Sequence, residues 1–457
     1  MDIDFNNIKE VHFIGIGGIG MSSMARVLLD RGYRVSGSDR TITPLCQNLI
    51  DHGAKISAPQ DAKNILKPDL IVYTDAISAD NPEFIAAKDS GIPMIDRASF
   101  LGQLMTQYQK SYAITGTHGK TTTTSMLATI FKHSDFKPTI LLGGNLDAIG
   151  GNVLVGEHDV MLCEACEYKG NILKYHPTTA VVLNIDEDHL DYYKSLEHIE
   201  ATFIEFIKGL RPGSHLIING DEASLKNIRE AHDGKLITFG IHRPADFRAK
   251  DITYNEEGFA SYDLEFEGKT YKVNTSVMGV HNVLNSLAAI ATAYDAGLDI
   301  ETIVDAIDHY KPVHQRLEML GEKDGVTVMD DYAHHPTEIM ASLNAVKNMN
   351  KERIFCVFQP HTYTRTKILL NGFADAFKLA DQVVVIDIFA ARETNNLGIH
   401  SRDLVEKMNE RGISCKYYPD FESALEYLKT ALKPGDLFIT MGAGDVNKLA
   451  HMYLKDK

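Results

Sequence analysis

The stretch Ser111-Tyr-Ala-Ile-Thr-Gly-Thr-His-Gly-Lys-Thr-Thr-Thr-Thr-Ser125 carries the residue types that handle phosphate. Gly116 and Gly119 free the backbone to curl, and a helix starting near Thr121 aims its first N–H groups at the turn. Lys120 can reach the outer phosphates of a nucleoside triphosphate, and the Thr121 hydroxyl is placed to ligate its magnesium. The general P-loop pattern wants a glycine five residues before Gly119, where this chain has Ile114, so the turn departs from it at one position. Further on, Asp159-Val-Met-Leu-Cys-Glu164 puts a carboxylate at the end of an apolar run. Asn184-Ile-Asp186-Glu-Asp188-His189-Leu-Asp191 is dense in possible metal ligands.

A second glycine cluster opens the chain. The apolar run Val11 to Gly15 leads into Gly15-Ile-Gly17-Gly18-Ile19-Gly20, and Asp39 follows nineteen residues after Gly20. This is the G-x-G-x-x-G arrangement of dinucleotide-binding folds, with an acid where such folds read a ribose. It predicts a diphosphate on a helix N-terminus without telling NAD, FAD and a UDP-sugar apart. Cys163 and Cys166 form a CxxC without a second pair, which reads as two small buried side chains beside Glu164.

The elements that must hold these groups alternate between strand and helix patterns. Tyr33 to Gly37 and Asp69 to Tyr73 read as strands and Glu83 to Lys88 as a helix, a Rossmann-like unit. The phosphate turn sits between strand and helix in a second domain, where Gly143 to Asn152 reads as a flexible glycine segment and residues 246–277 alternate like antiparallel strands. Tyr310-Lys-Pro312-Val-His-Gln-Arg316 reads as a linker. Beyond it, strands Val326 to Met329, Ile354 to Phe358, Gln382 to Ile386 and Asp436 to Thr440 alternate with helices in a second Rossmann-like unit. The fold class is thus α/β with three domains: residues 1–108, a central P-loop domain with a mixed sheet at 109–315, and 316–457.

The length of 457 residues suits about three cores. Against 46 basic residues stand 62 acidic ones, net −16, which argues against an extended nucleic-acid or anionic-membrane surface and confines phosphate chemistry to local sites. The N-terminal residues lack a basic then apolar leader pattern, no apolar run reaches eighteen residues, and five cysteines are too few for a disulfide framework. A cytoplasmic address is expected.

Gly116-Thr-His-Gly-Lys-Thr122, Asn184-Ile-Asp-Glu-Asp-His-Leu190, Gly279-Val-His-Asn-Val-Leu-Asn285, Asp331-Tyr-Ala-His-His-Pro336 and Phe358-Gln-Pro-His361 resemble the motifs of the Mur ligases. These are three-domain, ATP-dependent amino-acid-adding enzymes of bacterial peptidoglycan synthesis. His12-Phe-Ile-Gly-Ile-Gly-Gly-Ile-Gly-Met-Ser22 and Ser36-Gly-Ser-Asp39 look most like the member that adds L-alanine to UDP-N-acetylmuramate. The resemblance implies that the first domain binds the UDP-sugar through Gly15, Gly17, Gly18, Ile19, Gly20 and Asp39. It implies that Gly116, Thr117, His118, Gly119, Lys120, Thr121 and Thr122 hold ATP phosphates, and that His281 and Asn282 hold its base. Asn282 in that position could equally be a helix cap. By the same resemblance Thr121 and Glu164 bind the ATP magnesium, and Glu164 and His189 hold a second ion, Mg²⁺ or Mn²⁺. Lys120, Glu164, His189, Arg316, Asp331 and His334 would form the catalytic set, with Asp331 and His334 lying after a strand and before Pro336, which suits a helix's first turn. His334 and Arg365 would receive the amino acid. Thr362 stands where the alanine-adding pattern often has arginine, and Cys166 and Tyr168 depart from the usual acidic run after Glu164. The alternatives are a ligase that recycles a whole tripeptide onto UDP-N-acetylmuramate and, from the first domain alone, an NAD-dependent oxidoreductase. Small-molecule substrates and a monomer or weak dimer are expected.

Overall fold

The computed structural model describes residues 3–190, 192–391 and 393–456, and Asp191 of the acidic loop lies outside the described residues. Chain contacts gather them into two compact units. The first takes the chain up to Ile185 with Ile199–Phe239 and Ala288–Ala306; the second takes Asp186–His198, Gly240–Leu287 and the chain from Ile307 onward.

In the first unit, β1 (Glu10–Ile14), β2 (Arg34–Ser38), β3 (Lys55–Ser57), β4 (Leu70–Tyr73) and β5 (Met94–Asp96) form a parallel sheet in the order β3-β2-β1-β4-β5. The strand order reverses beside β1, so a crevice opens at its C-terminal end, where the glycine fingerprint begins. Val11, Phe13 and Ile14 are buried, as an apolar run covered on both faces requires. His12 is buried too, and its Nε2 meets the buried Glu83 carboxylate at 2.7 Å. That carboxylate also accepts from the Asp61 N–H and the Asn64 amide, which ties the segment after β3 to the sheet.

The same unit carries β6 (Lys110–Thr115), β7 (Thr139–Leu146), β8 (Gly151–Leu154), β9 (Val160–Glu164), β10 (Thr179–Val182), β11 (His215–Asn219) and β12 (Lys235–Gly240), in the order β12-β11-β10-β6-β9-β7-β8. Neighbours run parallel except β7 and β8, which form an antiparallel hairpin. The sequence suggests a flexible glycine segment over Gly143 to Asn152, and the structure makes most of it into that hairpin. Polar anchoring explains the difference: the Asn152 amide donates to Ser23 Oγ at 2.6 Å and to the Ile19 carbonyl at 3.1 Å, fastening β8 to the helix Ile19–Asp30.

In the second unit, β13 (Phe247–Tyr254), β14 (Phe259–Phe266) and β15 (Lys269–Met278) pair antiparallel. Tyr262, Leu264 and Phe266 turn inward in β14, which is the alternation the sequence shows. The C-terminal sheet holds β16 (Glu318–Lys323), β17 (Val326–Asp331), β18 (Ile354–Phe358), β19 (Gln382–Val385), β20 (Cys415–Tyr417) and β21 (Leu437–Met441), ordered β16-β17-β21-β18-β19-β20 and parallel except at β16. One face packs on Ile339, Leu343, Phe373 and Phe377, the other on Leu425, Leu428, Leu449 and Tyr453. This is a doubly wound arrangement, which aims the strand ends at a common edge.

Asp331 is the last residue of β17, paired in register with Met441, so the strand expected over Val326 to Met329 runs on to include it. Both Asp330 and Asp331 are buried there. Burial, which penalises the ionised form, is the largest influence on each and pushes both carboxyls up to about 6. The Ser342 hydroxyl and the Leu317 N–H, donating to Asp331, oppose the rise only in part.

A carboxyl whose folded pKa exceeds its unfolded value of about 3.9 contributes stability that is fully present below about pH 4 and is lost as pH rises through about 6. Asp331→Asn, which keeps a carbonyl for Leu317 N–H, should therefore flatten the pH dependence. Between about pH 4.5 and 8 the wild type should lose on the order of 2 kcal/mol more than the variant in chemical denaturation. Parallel curves for the two proteins would contradict the buried-carboxyl assignment.

Candidate active site

In the first unit, the phosphate-type turn runs from the buried β6 into the helix Lys120–Lys132, whose residues Thr122 to Phe131 are buried. Gly119 caps this helix at φ +85°, a left-handed conformation that a side chain would strain, and the helix's first N–H groups lack intrahelical acceptors. Asn184, just past β10, holds the turn in shape. Its backbone carbonyl accepts from Thr117 N–H at 3.2 Å, its side-chain carbonyl accepts from His118 N–H at 2.8 Å, and its amide donates to the His118 carbonyl at 3.1 Å.

Two carboxylates of the exit Glu164-Ala-Cys-Glu167 face the turn. Glu164 Oε2 accepts from Thr121 Oγ1 at 3.0 Å, and its Oε1 accepts from Gly143 N–H at 2.6 Å. Thr121 and Glu164 thus bring together two oxygens of the hard type that Mg²⁺ takes, about as far apart as neighbouring ligands of that ion. Lys120 Nζ donates to the carbonyls of Gly116 and Thr117 and to Glu167, the ion pair closing at 3.1 Å. Burial is the largest influence and works against the ammonium charge, but Glu167, Cys166 and Glu164 together outweigh it, so Lys120 titrates above its ordinary range. Cys163 is buried and Cys166 partly so, and burial raises both thiols, which suits packing and not redox use.

The fingerprint turn lies in the same unit. Gly18 caps the helix that starts at Ile19 and Gly20, while Gly15 leaves β1. Gly17 N–H donates to Asp39 Oδ2 at 2.7 Å, and a Cβ on Gly17 would stand 2.8 Å from that oxygen, so the close approach requires glycine. Asp39 thus anchors the turn in addition to any contact with a ligand.

In the second unit, Arg365 and Asp188 meet at 3.0 Å, and Arg365 Nη1 stands 3.3 Å from His361 Nδ1. Burial acts to raise the Asp188 carboxyl, but the Arg365 guanidinium, the strongest of its cationic neighbours, holds it well below the usual carboxylate range. The His361 ring is pushed down to about 4 by burial first and by His334 and Arg365 next; His334 shifts down for the same first reason. Both imidazoles are therefore neutral near pH 7 and can accept or relay a proton. The loop bearing Asp188 is fastened to the helix Pro336–Val346: His335 Nε2 bonds the Glu187 carbonyl and the Thr337 hydroxyl donates to Asp186. His189, with φ +54°, keeps its Nε2 3.9 Å from Asp188. Thr362 sits at φ +65°, a position that strains a β-branched residue and aims the chain into the short helix bearing Arg365.

Arg316 lies over the Tyr332 ring at 4.7 Å. Asn282 donates to the Met278 carbonyl and accepts from Asn285, which leaves one N–H and one lone pair for another partner. His281 packs beside Gly279.

The structure brings Lys120, Thr121 and Glu164 together with the rest of the turn in one unit, and Asp331, His334, Arg316 and Arg365 belong with His189 to the other. Sequence reasoning gave no role to Glu167, and it read the loop of Asn184 and Asp188 as possible metal ligands where the structure makes Asn184 the brace of the turn and Asp188 the partner of Arg365. Glu167 carried a signal, since it repeats a carboxylate three residues after Glu164 at the same strand exit.

Three sequence-family models match consecutive stretches of the chain. They are the Mur ligase family catalytic domain over residues 10–109, the Mur ligase middle domain over 114–293, and the Mur ligase glutamate ligase domain over 315–444. A UDP-N-acetylmuramate–L-alanine ligase of Acetivibrio thermocellus is 48% identical over 100% of this chain and 97% of its own length. One from Clostridium acetobutylicum is 45% identical over 99% of this chain and all of its own. Among solved structures, the UDP-N-acetylmuramate-alanine ligase MurC of Thermotoga maritima is similar at a TM-score of 0.80 with 28% identity, covering 98% of this chain and 99% of its own. A murein peptide ligase of Psychrobacter arcticus reaches 0.71 with 25% identity, covering 98% of each. The mixed α/β class with three sheet-containing domains, expected from the alternating pattern, is the architecture of the Thermotoga enzyme. With identity near one half sustained from end to end and each family stretch in its proper order, the chain belongs to the Mur ligase family.

Proposed function

We propose that this chain is an ATP-dependent ligase that joins L-alanine to the carboxylate of UDP-N-acetylmuramate, releasing ADP and phosphate, in the synthesis of peptidoglycan precursors. The observation that carries the reading is the full-length match to relatives that bear this activity in their names. The oxidoreductase alternative finds no support among them, since the named relatives are ligases. We assign the domains as residues 1–108, 109–315 and 316–457, in keeping with the limits of the family models.

A carboxylate is a poor electrophile, so the reaction runs through an acyl phosphate. A carboxylate oxygen of the sugar attacks the γ-phosphorus and the bond to ADP breaks. The amine of L-alanine then attacks the acyl carbon, the C–O bond breaks, phosphate leaves, and the nitrogen gives up a proton. Gly116, Thr117, His118, Gly119 and Thr122 shape the cradle for the ATP phosphates, and Lys120 offsets the negative charge that gathers at the transferred group. Thr121 and Glu164 would hold Mg²⁺, which when bound neutralises phosphate charge. His189 offers an imidazole to a second ion, Mg²⁺ or Mn²⁺. Asn282, with its remaining donor and acceptor, suits the edge of adenine, and His281 lies beside it.

Gly15, Gly17, Gly18, Ile19 and Gly20 receive the UDP diphosphate at their helix start, with Asp39 setting the turn. Arg316 is assigned to ATP phosphates and Asp331 to the nucleotide side of the third domain. Arg365, already grasping one carboxylate in Asp188, suits the carboxylate of the incoming amino acid, and the neutral His334 suits its amine.

Lys120→Ala should lower turnover at least about 10³-fold, the scale of one charge acting on phosphoryl transfer; near-normal ADP formation would remove the cradle from the reaction. Arg365→Ala should raise the Michaelis constant for L-alanine by about 10- to 100-fold, the worth of hydrogen bonds to a charged group, and that for ATP far less. Equal rises in both would take Arg365 out of the amino-acid site. Phosphate release with UDP-N-acetylmuramate and a panel of amines tests the whole reading. L-alanine should drive it better than glycine, L-serine or L-alanyl-γ-D-glutamyl-diamino acid, and preference for that last peptide would make the chain a recycling ligase.

A further inference from the structure

Lys120 is a cation with three protons to donate, and the structure occupies all of them at the turn: the Gly116 carbonyl, the Thr117 carbonyl and the Glu167 carboxylate. Glu167 is 3% exposed and Lys120 16%, so their attraction acts with little water between them. The lysine cannot donate to a phosphate without releasing a partner. The neutral carbonyls belong to the turn itself and coexist with an anion, whereas a buried carboxylate beside an arriving phosphate is a like-charge repulsion. Glu167 is the partner that must yield. Its neighbour Glu164 engages Thr121 in parallel, so the exit Glu164-Ala-Cys-Glu167 occupies two successive residues of the cradle.

We propose that Glu167 is the resting counter-ion of Lys120, a positioning residue that competes with the nucleotide for the lysine and sets how tightly the empty cradle takes up ATP. The inference rests on the nucleotide reading of the cradle given above. In the resting protein the ion pair keeps the ammonium charged and folded against its own turn. On phosphate entry one charge-assisted hydrogen bond is exchanged for another, and net affinity is smaller than the phosphate contacts alone would give. Removing the carboxylate charge takes away both the competitor and the repulsion, so the effect on binding has the opposite sign to that of ordinary structural damage.

Calorimetric titration of ADP and ATP into the full chain tests this. Glu167→Gln should bind both about tenfold more tightly than wild type, the scale of one hydrogen bond to a charged group. Its Michaelis constant for ATP should fall while that for L-alanine stays. Glu167→Asp, which keeps the charge, should return the affinity towards the wild-type value. Equal or weaker binding by a folded Glu167→Gln overturns the proposal while leaving the nucleotide site intact. Failure of every form to bind, wild type included, overturns the nucleotide reading instead. Should Glu167→Gln not fold, Glu167→Ser carries the same expectation, and if neither folds the residue is structural and the proposal falls.

Discussion

Anionic reactants repel one another, and a protein that joins a carboxylate to a phosphate must place positive charge between them without leaving that charge exposed to water. Here the positive charge is a lysine ammonium and the positive ends of helices, and the fold is arranged to keep both in place. Lys120 is held by its own turn and by Glu167, the turn by Asn184, and Asn184 by the end of a buried parallel strand. Each support is a hydrogen bond to a group that the sheet fixes first. Without the sheet, a glycine-rich turn would spend its freedom in conformations that point no N–H groups anywhere useful.

Carboxylates do the complementary work. Glu164 and Glu167 on the first unit, and Asp188, Asp330 and Asp331 on the second, all stand at or just beyond strand ends or in the loops that follow, where parallel sheets open towards ligands. Their environments differ in kind. Asp188 is ionised firmly because a guanidinium faces it, whereas burial raises Asp330 and Asp331 despite the Thr440, Gln315 and Ser342 groups that donate to them. One residue type therefore serves as a firm counter-ion in one place and as a carboxyl that gives up its proton only near pH 6 in another, according to how burial and nearby cations balance.

Much of this was legible in the residues. Strand positions followed from apolar runs, and the alternation of Tyr262, Leu264 and Phe266 against acidic neighbours marked an antiparallel ribbon. The two glycine turns announced themselves because a close backbone approach or a positive φ leaves few residue choices. The Gly143 to Asn152 hairpin was not legible, since its order depends on an amide reaching a helix more than a hundred residues earlier. Asp331 was expected just past a strand ending at Met329, where the apolar run gives way to acids, yet a parallel partner strand extends β17 over it. The loop of Asn184 and Asp188 stood out as rich in polar ligands, but the partners of Glu167, Asn184 and Asp188 did not, since local spacing does not encode a partner dozens of residues away. The strain at Thr362 is equally silent, because threonine gives no hint of a left-handed backbone.

The bond from Asn152 to Ser23 and Ile19 has a consequence for how the two glycine turns relate. A single side-chain amide rivets the helix behind the fingerprint to the hairpin beside Glu164. Within the first unit the two glycine turns therefore share one hydrogen-bonded frame, and a change at Asn152 would be felt by the helix behind one turn and by the hairpin beside the other.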